Sequence, residues 1–269
     1  MVAGRVSEGP TTRFERFVAI GDSSTEGLED PDGKGGYRGW ADRLAAHLAE
    51  AQGSVLYANL AIRGRDTRQI RDQQLEPALR MAPDLATLFA GSNDAVRRDF
   101  DAASVGRDIE HMQRRLIESG ATVVTFTLPD LTPVMPLGGI VAPRVRLLNE
   151  TLRQVSSSTG AILVDFAARP MASDPRIWNE DGFHANSLGH ERIARALAHA
   201  LRVPGVDGSW TDPFPTEKPR TRLQSLLRDT TWLLGHFAPW ILRHLLGRSS
   251  GDGRSPKRPE LTEVSASWK

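Results

Sequence analysis

Ser23 closes a Gly-Asp-Ser turn directly behind the apolar run Phe17-Val18-Ala19-Ile20, and Asp181 and His184 stand three residues apart far downstream. A hydroxyl, an acid and a base are the parts of nucleophilic catalysis. Serine attacks poorly until a base takes its proton, and the base works better when a carboxylate fixes its tautomer. Ser23 is thus the candidate nucleophile, His184 the base and Asp181 the orienting acid, with Asp22 holding the turn. Each phrase also has an ordinary reading, because Gly-Asp-Ser and Asp-Gly are common turn residues.

Ester hydrolysis passes through a tetrahedral oxyanion, which needs aimed donors. Asn59-Leu60-Ala61-Ile62-Arg63-Gly64 follows the second apolar run, and Gly91-Ser92-Asn93-Asp94 follows the third. The backbone N–H groups of Ser23 and Gly64 and the side-chain amide of Asn93 are suitable donors. A plain turn glycine and a helix cap are the alternatives for Gly64 and Asn93. Three successive strands that each end in a polar cluster place all of them on the sheet edge where α/β proteins form ligand sites.

The elements that must carry these residues are readable from periodicity. Short, nearly continuous apolar runs at 17–21, 55–61, 85–90, 121–128 and 161–167 fit strands buried on both faces of a parallel sheet. Between them, 38–51, 66–81, 103–118, 143–157 and 187–202 carry helical periodicity. Strand–helix alternation of this length predicts a three-layer α/β/α sandwich with right-handed crossovers over residues 14–203. The loop 129–142 has no charge after Asp130 and could form an apolar wall or simply pack on the domain.

Composition narrows the chemistry. Lysine plus arginine total 34 against 33 aspartate plus glutamate, which gives no global pull towards nucleic acid. Cysteine is absent, excluding disulfides, thiolate metal ligands and a thiol nucleophile. His47, His111, His190 and His199 fall in helical patterns without metal-ligand spacing, so neither metal nor organic cofactor is expected. Met1–Arg16 lacks an apolar signal core, so the expected location is cytoplasmic. Glu26, Glu29, Asp30 and Asp32 form an acidic patch near Ser23; Arg63, Arg65, Arg68, Arg97 and Arg98 follow the second and third clusters. Those arginines suit either substrate anions or solvated helix starts.

Beyond Val203 the pattern changes. Residues 204–220 hold four prolines and read as a linker or strap. Residues 221–247 carry a Leu/Trp stripe and predict an amphipathic helical appendage, whose apolar face packs on the domain, on a second copy of the chain as a homodimer, or at a membrane surface. Residues 248–269 are rich in Ser, Gly, Lys, Arg and Pro and are expected to be disordered.

Taken together, Gly21-Asp22-Ser23, Asn59 to Gly64, Gly91-Ser92-Asn93-Asp94 and Asp181 to His184 resemble the four sequence blocks of the SGNH (GDSL-type) hydrolase family, in its lysophospholipase L1-like esterase branch. Ser24 stands where the family's name has leucine, and Ile62-Arg63 is bulkier than usual before Gly64. The resemblance implies a flavodoxin-like five-stranded parallel sheet and a Ser23–His184–Asp181 triad. It further implies an oxyanion hole from Ser23, Gly64 and Asn93, and a small-molecule carboxylic ester or thioester as substrate. An acyltransferase on the same scaffold, or a non-catalytic protein that binds a partner through 221–247, are the alternative functions.

Overall fold

The apolar runs become a twisted sheet because both of its faces are covered. The computed structural model describes residues 13–215 and 250–268, together with Thr230 and Gly235. The strands are β1 (Arg16–Gly21), β2 (Ser54–Asn59), β3 (Leu85–Phe89), β4 (Thr122–Phe126), β5 (Ile162–Val164) and β6 (Arg258–Ser265). The helices are α1 (Ser23–Glu26), α2 (Gly39–Gln52), α3 (Thr67–Arg80), α4 (Ser92–Ala95), α5 (Ala102–Glu118), α6 (Gly138–Thr159) and α7 (Ser187–Ala200).

The strand order is β5-β4-β3-β1-β2-β6, with β1 to β5 parallel. From β1 the chain steps one way to β2, then crosses back over β1 to β3. A right-handed crossover that reverses direction must change face. Accordingly α2 packs with α7 on one side of the sheet, while α3, α5 and α6 pack together on the other. The reversal opens a crevice beyond the carboxyl ends of β1 and β3, and the loops after β1, β2 and β3 all emerge there.

Two features differ from the sequence expectation. The sheet has a sixth strand: β6, within the stretch 248–269 expected to lack order, pairs antiparallel with β2, Val55 opposite Val264 and Tyr57 opposite Thr262. Its cause is long-range. The edge of β2 offers unpaired backbone groups, and Val264 is fully buried there. Secondly, the expected loop 129–142 ends early, since α6 begins at Gly138. Residues 204–215 pack on the domain, with buried Trp210 stacked on Phe166 at 6.0 Å. The expected appendage 221–247 lies outside the described residues except for Thr230 and Gly235.

Phe126 centres the core beneath the site. Its ring stacks on Phe89 at 4.3 Å, meets Trp40 edge-on at 5.4 Å and contacts Phe166 at 6.4 Å, so it joins strands β3 and β4 to helix α2. Replacing Phe126 by alanine is expected to cost roughly 3–5 kcal/mol, because the surrounding aromatic rings cannot collapse fully into the void. A fall in the denaturant midpoint at unchanged slope is the measurement that checks it.

Candidate active site

Ser23 is the first residue of α1, delivered to the crevice by the turn that ends β1. That turn is held from three sides. The amide of Gln74, buried on α3, accepts from the Gly21 N–H at 2.8 Å and donates to the Gly21 carbonyl at 2.9 Å. The Asp22 carboxylate caps α1 by accepting from the Ser24 N–H at 3.0 Å. At its other end, Gly27 meets Gly39 so closely that a Cβ on Gly39 would lie 2.2 Å from the Gly27 Cα. Both have positive φ (97° and 75°), so glycine is required at this crossing of α1 and α2 for backbone and space together.

The structure brings Ser23, His184 and Asp181 into one line. His184 Nε2 lies 2.9 Å from Ser23 Oγ, and His184 Nδ1 lies 2.6 Å from Asp181 Oδ2. The other Asp181 oxygen accepts the backbone N–H groups of Phe183 and His184 at 2.9 and 3.0 Å. Burial opposes the charge on Asp181, but the bond to the His184 ring, its positive charge and the two N–H donors outweigh it and hold the carboxyl below its ordinary value. An ionised Asp181 can only accept, so Nδ1 carries the proton and Nε2 is left to accept from the serine hydroxyl. Burial also pulls the His184 pKa down, but the hydrogen bond and charge of Asp181, with Asp22 and Glu29 behind them, raise it above the usual histidine value.

Asp22 is fully buried. Burial raises its pKa to about 6 against the opposing hydrogen bonds of Ser92 and the Ser24 N–H. The Ser92 hydroxyl donates to Asp22 Oδ2, as does Asn93 Nδ2 at 3.2 Å. Asn93 Nδ2 also donates to the Arg65 carbonyl at 3.0 Å. The carboxylate therefore ties the β1 turn to the β3 turn, and the Asn93 amide ties the β3 turn to the loop after β2. Gly64 turns that loop with φ of 73°. Any oxyanion that takes the Asn93 amide proton would replace one of its two present acceptors.

Most of the charge around the site is engaged in holding it. The Arg63 guanidinium is gripped by Glu26, which also accepts the Arg63 backbone N–H at 2.8 Å, and it lies 5.3 Å from the Tyr37 ring. Asp30 binds Arg43 at 2.8 and 3.0 Å. Asp32 accepts the Lys34 and Gly36 N–H groups of its own turn. Arg97 pairs with Asp99 at 3.0 Å and Asp66 at 3.5 Å. Arg63 and Arg97 are therefore engaged by carboxylates of the protein itself, and Arg63, 12% exposed, is not the solvated charge of a helix start.

Gln74 and His190 escape a reading of motifs, and Ser92, though inside the third block, gains its role only from the bond to Asp22. His190 is fully buried on α7, accepting the Trp40 N–H on Nδ1 at 3.0 Å and contacting the Leu28 carbonyl through Nε2 at 2.9 Å. An accepting Nδ1 means that Nε2 bears the proton and donates to Leu28, so the ring is neutral. The signal for Gln74 was an amide within the apolar stripe of α3, beside Ile70, Leu75 and Ala78. Among the described residues no group of three or more His, Cys, Asp or Glu side chains could hold a metal ion, and no helix there is long and apolar enough to cross a membrane.

The two histidines on this loop and helix should titrate in opposite directions. Burial pushes His190 down to about 4, whereas His184 moves upward from 6.5. Imidazole NMR titration is expected to show His190 as the neutral Nε2–H tautomer throughout pH 5–8, and His184 gaining its proton above the usual midpoint of about 6.5. A His190 midpoint near the unperturbed value would contradict the geometry.

A model of the GDSL-like lipase/acylhydrolase family matches residues 19–192. GDSL lipase Rv0518 of Mycobacterium tuberculosis is 26% identical over 202 residues, covering 71% of this chain and 83% of the relative. The structure of the lipase/acylhydrolase from Enterococcus faecalis superposes with a TM-score of 0.57 at 20% identity, covering 76% of this chain and 100% of that one. The acetylxylan esterase Axe2 from Geobacillus stearothermophilus superposes with a TM-score of 0.61 at 16% identity, covering 72% of this chain and 97% of that one. The fold is thus that of the SGNH hydrolases, and the chain belongs to the GDSL-like lipase/acylhydrolase family.

Proposed function

We propose that the protein is a serine esterase that cleaves carboxylic esters or thioesters through an acyl-enzyme on Ser23. The observation that carries this reading is the continuous line of hydrogen bonds from Asp181 through His184 to Ser23, at 2.6 and 2.9 Å. Ser23 Oγ attacks the carbonyl carbon while its proton passes to His184 Nε2. The Ser23 N–H at the start of α1, the Gly64 N–H and the Asn93 amide are the donors for the oxyanion. On collapse the carbon–oxygen or carbon–sulfur bond breaks, and the leaving alcohol or thiol takes the proton from His184. A water then gives its proton to His184 and its oxygen to the acyl carbon, releasing the acid and restoring the serine hydroxyl. Asp181 keeps the imidazole in the required tautomer and stabilises its charged form.

Asp22 is assigned a supporting role. It holds the turn that presents Ser23 and, as a buried carboxyl facing His184, adds to the upward pull on the base. The name of the Mycobacterium relative, a GDSL lipase, fits an acyl ester substrate, and that of Axe2 fits an acetylated sugar. On this reading residues 14–203 form the domain that performs the reaction, and the acyl-enzyme chemistry of Ser23, His184 and Asp181 calls on no metal or organic cofactor.

Ser23→Ala is expected to abolish hydrolysis of p-nitrophenyl acetate and butyrate, leave the far-ultraviolet circular dichroism unchanged and block labelling by a fluorophosphonate probe. Full activity in that variant would sink the mechanism. Wild-type protein that neither turns over esters nor takes the label would favour the partner-binding alternative. A series of acyl-chain lengths on p-nitrophenyl esters and acyl-CoA separates acetylesterase, lipase and thioesterase behaviour.

The pH profile follows from His184, which must be neutral to act as base. Its pKa is raised, so kcat/KM should climb with pH through a midpoint above the ordinary value of about 6.5 and be lost below it. Asp181→Asn removes the largest cause of that rise, so the acid limb should move downward. Turnover should drop roughly 100- to 10,000-fold through the wrong tautomer. Stopped assays across pH 5–9 decide both points.

A further inference from the structure

Asn59 is fully buried at the end of β2. Its Nδ2 donates to the Thr25 carbonyl at 2.8 Å and to the Tyr57 hydroxyl at 3.0 Å, while its Oδ1 accepts the Ala61 N–H at 3.1 Å. The Ala61 contact fixes which way the amide faces. One side chain therefore locks the α1 turn carrying Ser23 to the loop running on to Gly64.

The Tyr57 hydroxyl can accept from Asn59 only if its single proton goes elsewhere. It goes to Asp42 Oδ1, 2.8 Å away. Asp42 must then remain an acceptor, although burial drives its carboxyl towards the neutral form. What opposes that drive is Lys257, whose ammonium lies 2.9 Å from the same Oδ1. The other two ammonium protons meet the carbonyls of Tyr37 at 3.0 Å and Arg38 at 2.6 Å, so all three donors are satisfied. Without the lysine, burial would push Asp42 further towards its neutral form, and an Asp42 that donated to Tyr57 would turn the tyrosine proton towards Asn59 Nδ2, donor against donor.

Lys257 comes from the arm 250–268, beyond the residues 19–192 that match the family. The arm meets the same loop twice more. Arg258 is the register partner of Asn59 in the β2–β6 pair. Gly251 packs on the Arg63 carbonyl so closely that a Cβ would lie 2.1 Å from it, and Arg65 reaches Asp252 at 3.7 Å.

We propose that Lys257 is a positioning residue for ester hydrolysis: by keeping Asp42 an acceptor it keeps the Tyr57 hydroxyl an acceptor for Asn59, and so steadies the amide that holds the Ser23 turn against the Gly64 loop. The C-terminal arm is on this account part of the working esterase. The proposal rests on the Ser23 mechanism, so wild-type and Ser23→Ala proteins are assayed first with p-nitrophenyl butyrate.

The full-length Lys257→Met protein is then compared with Val123→Ala, a core change at the start of β4 that lowers Tm without touching this network. Lys257→Met is expected to lose roughly 10- to 100-fold in kcat at nearly unchanged KM, well below its Tm, because the reacting groups are displaced rather than removed. Adding Asp42→Asn supplies a neutral acceptor for Tyr57 and should restore most of the loss. Should Lys257→Met fail to fold, Tyr57→Phe interrupts the same chain without altering charge and should show the same fall in kcat. Wild-type kcat in Lys257→Met or Tyr57→Phe overturns the proposal, as does a loss no larger than that of Val123→Ala. Turnover that survives in Ser23→Ala, or is absent from the wild type, removes the underlying esterase reading instead.

Discussion

An imidazole that must accept from a hydroxyl on one side while donating to a carboxylate on the other tolerates little displacement of either partner. Here the hydroxyl and the imidazole are 161 residues apart in sequence. Ser23 rides on the end of β1, in the middle of the sheet, and His184 rides on the loop that enters α7, on one of its faces. The core under Trp40 and Phe126, the packing of α2 on α7 and the neutral His190 clamped between Trp40 and Leu28 all fix that one separation. An amide or imidazole that is buried without charge suits this task, because it gives directional bonds at a smaller desolvation cost than an ion.

Charged groups near the site follow a consistent division. Glu26 holds Arg63, Asp30 holds Arg43, and Asp22 is shared among Ser24, Ser92 and Asn93. Glu26–Arg63 and the Asp22 bonds to Ser92 and Asn93 tie turns that separate strands deliver to the same edge, while Asp30–Arg43 ties the loop after β1 to α2. The sheet supplies the approximate meeting point, and these bonds refine it to hydrogen-bonding distance. Of the arginines after β2 and β3, Arg63, Arg65 and Arg97 are engaged within the protein.

The legible part of the molecule was what repeats locally. Strand runs such as Leu85–Phe89, buried at every position, announce a parallel sheet from composition alone. The α2 and α7 stripes announce helices by their spacing. Ser23, Asp181 and His184 stood out because a hydroxyl, an acid and a base each followed an apolar run or preceded a helix cap, Asn186 in the last case. Gln74 and Lys257 did not, because their meaning depends on partners 53 and 219 residues away. The early start of α6 was hidden by Gly138 and Gly139, which read as loop residues though the chain there is helical.

β6 is the sharpest case of structure decided from outside a segment. Arg258–Ser265 contains one proline and three charged residues, and Val264 is its single buried side chain, so it has no apolar run to announce a strand. It becomes one because β2 would otherwise be an open edge, and because Arg258 lies over the Tyr57 ring at 5.5 Å while Lys257 enters beneath it to Asp42. Covering an edge requires only backbone groups, which any polar sequence can supply. Placing a buried ammonium with all three protons satisfied requires far more of the surroundings, and it is retained next to the very residues that hold the Ser23 turn. A chain that needed β6 solely as an edge cover could have left position 257 to an uncharged side chain; the buried lysine is intelligible when the arm also keeps the Tyr57 hydroxyl an acceptor for Asn59.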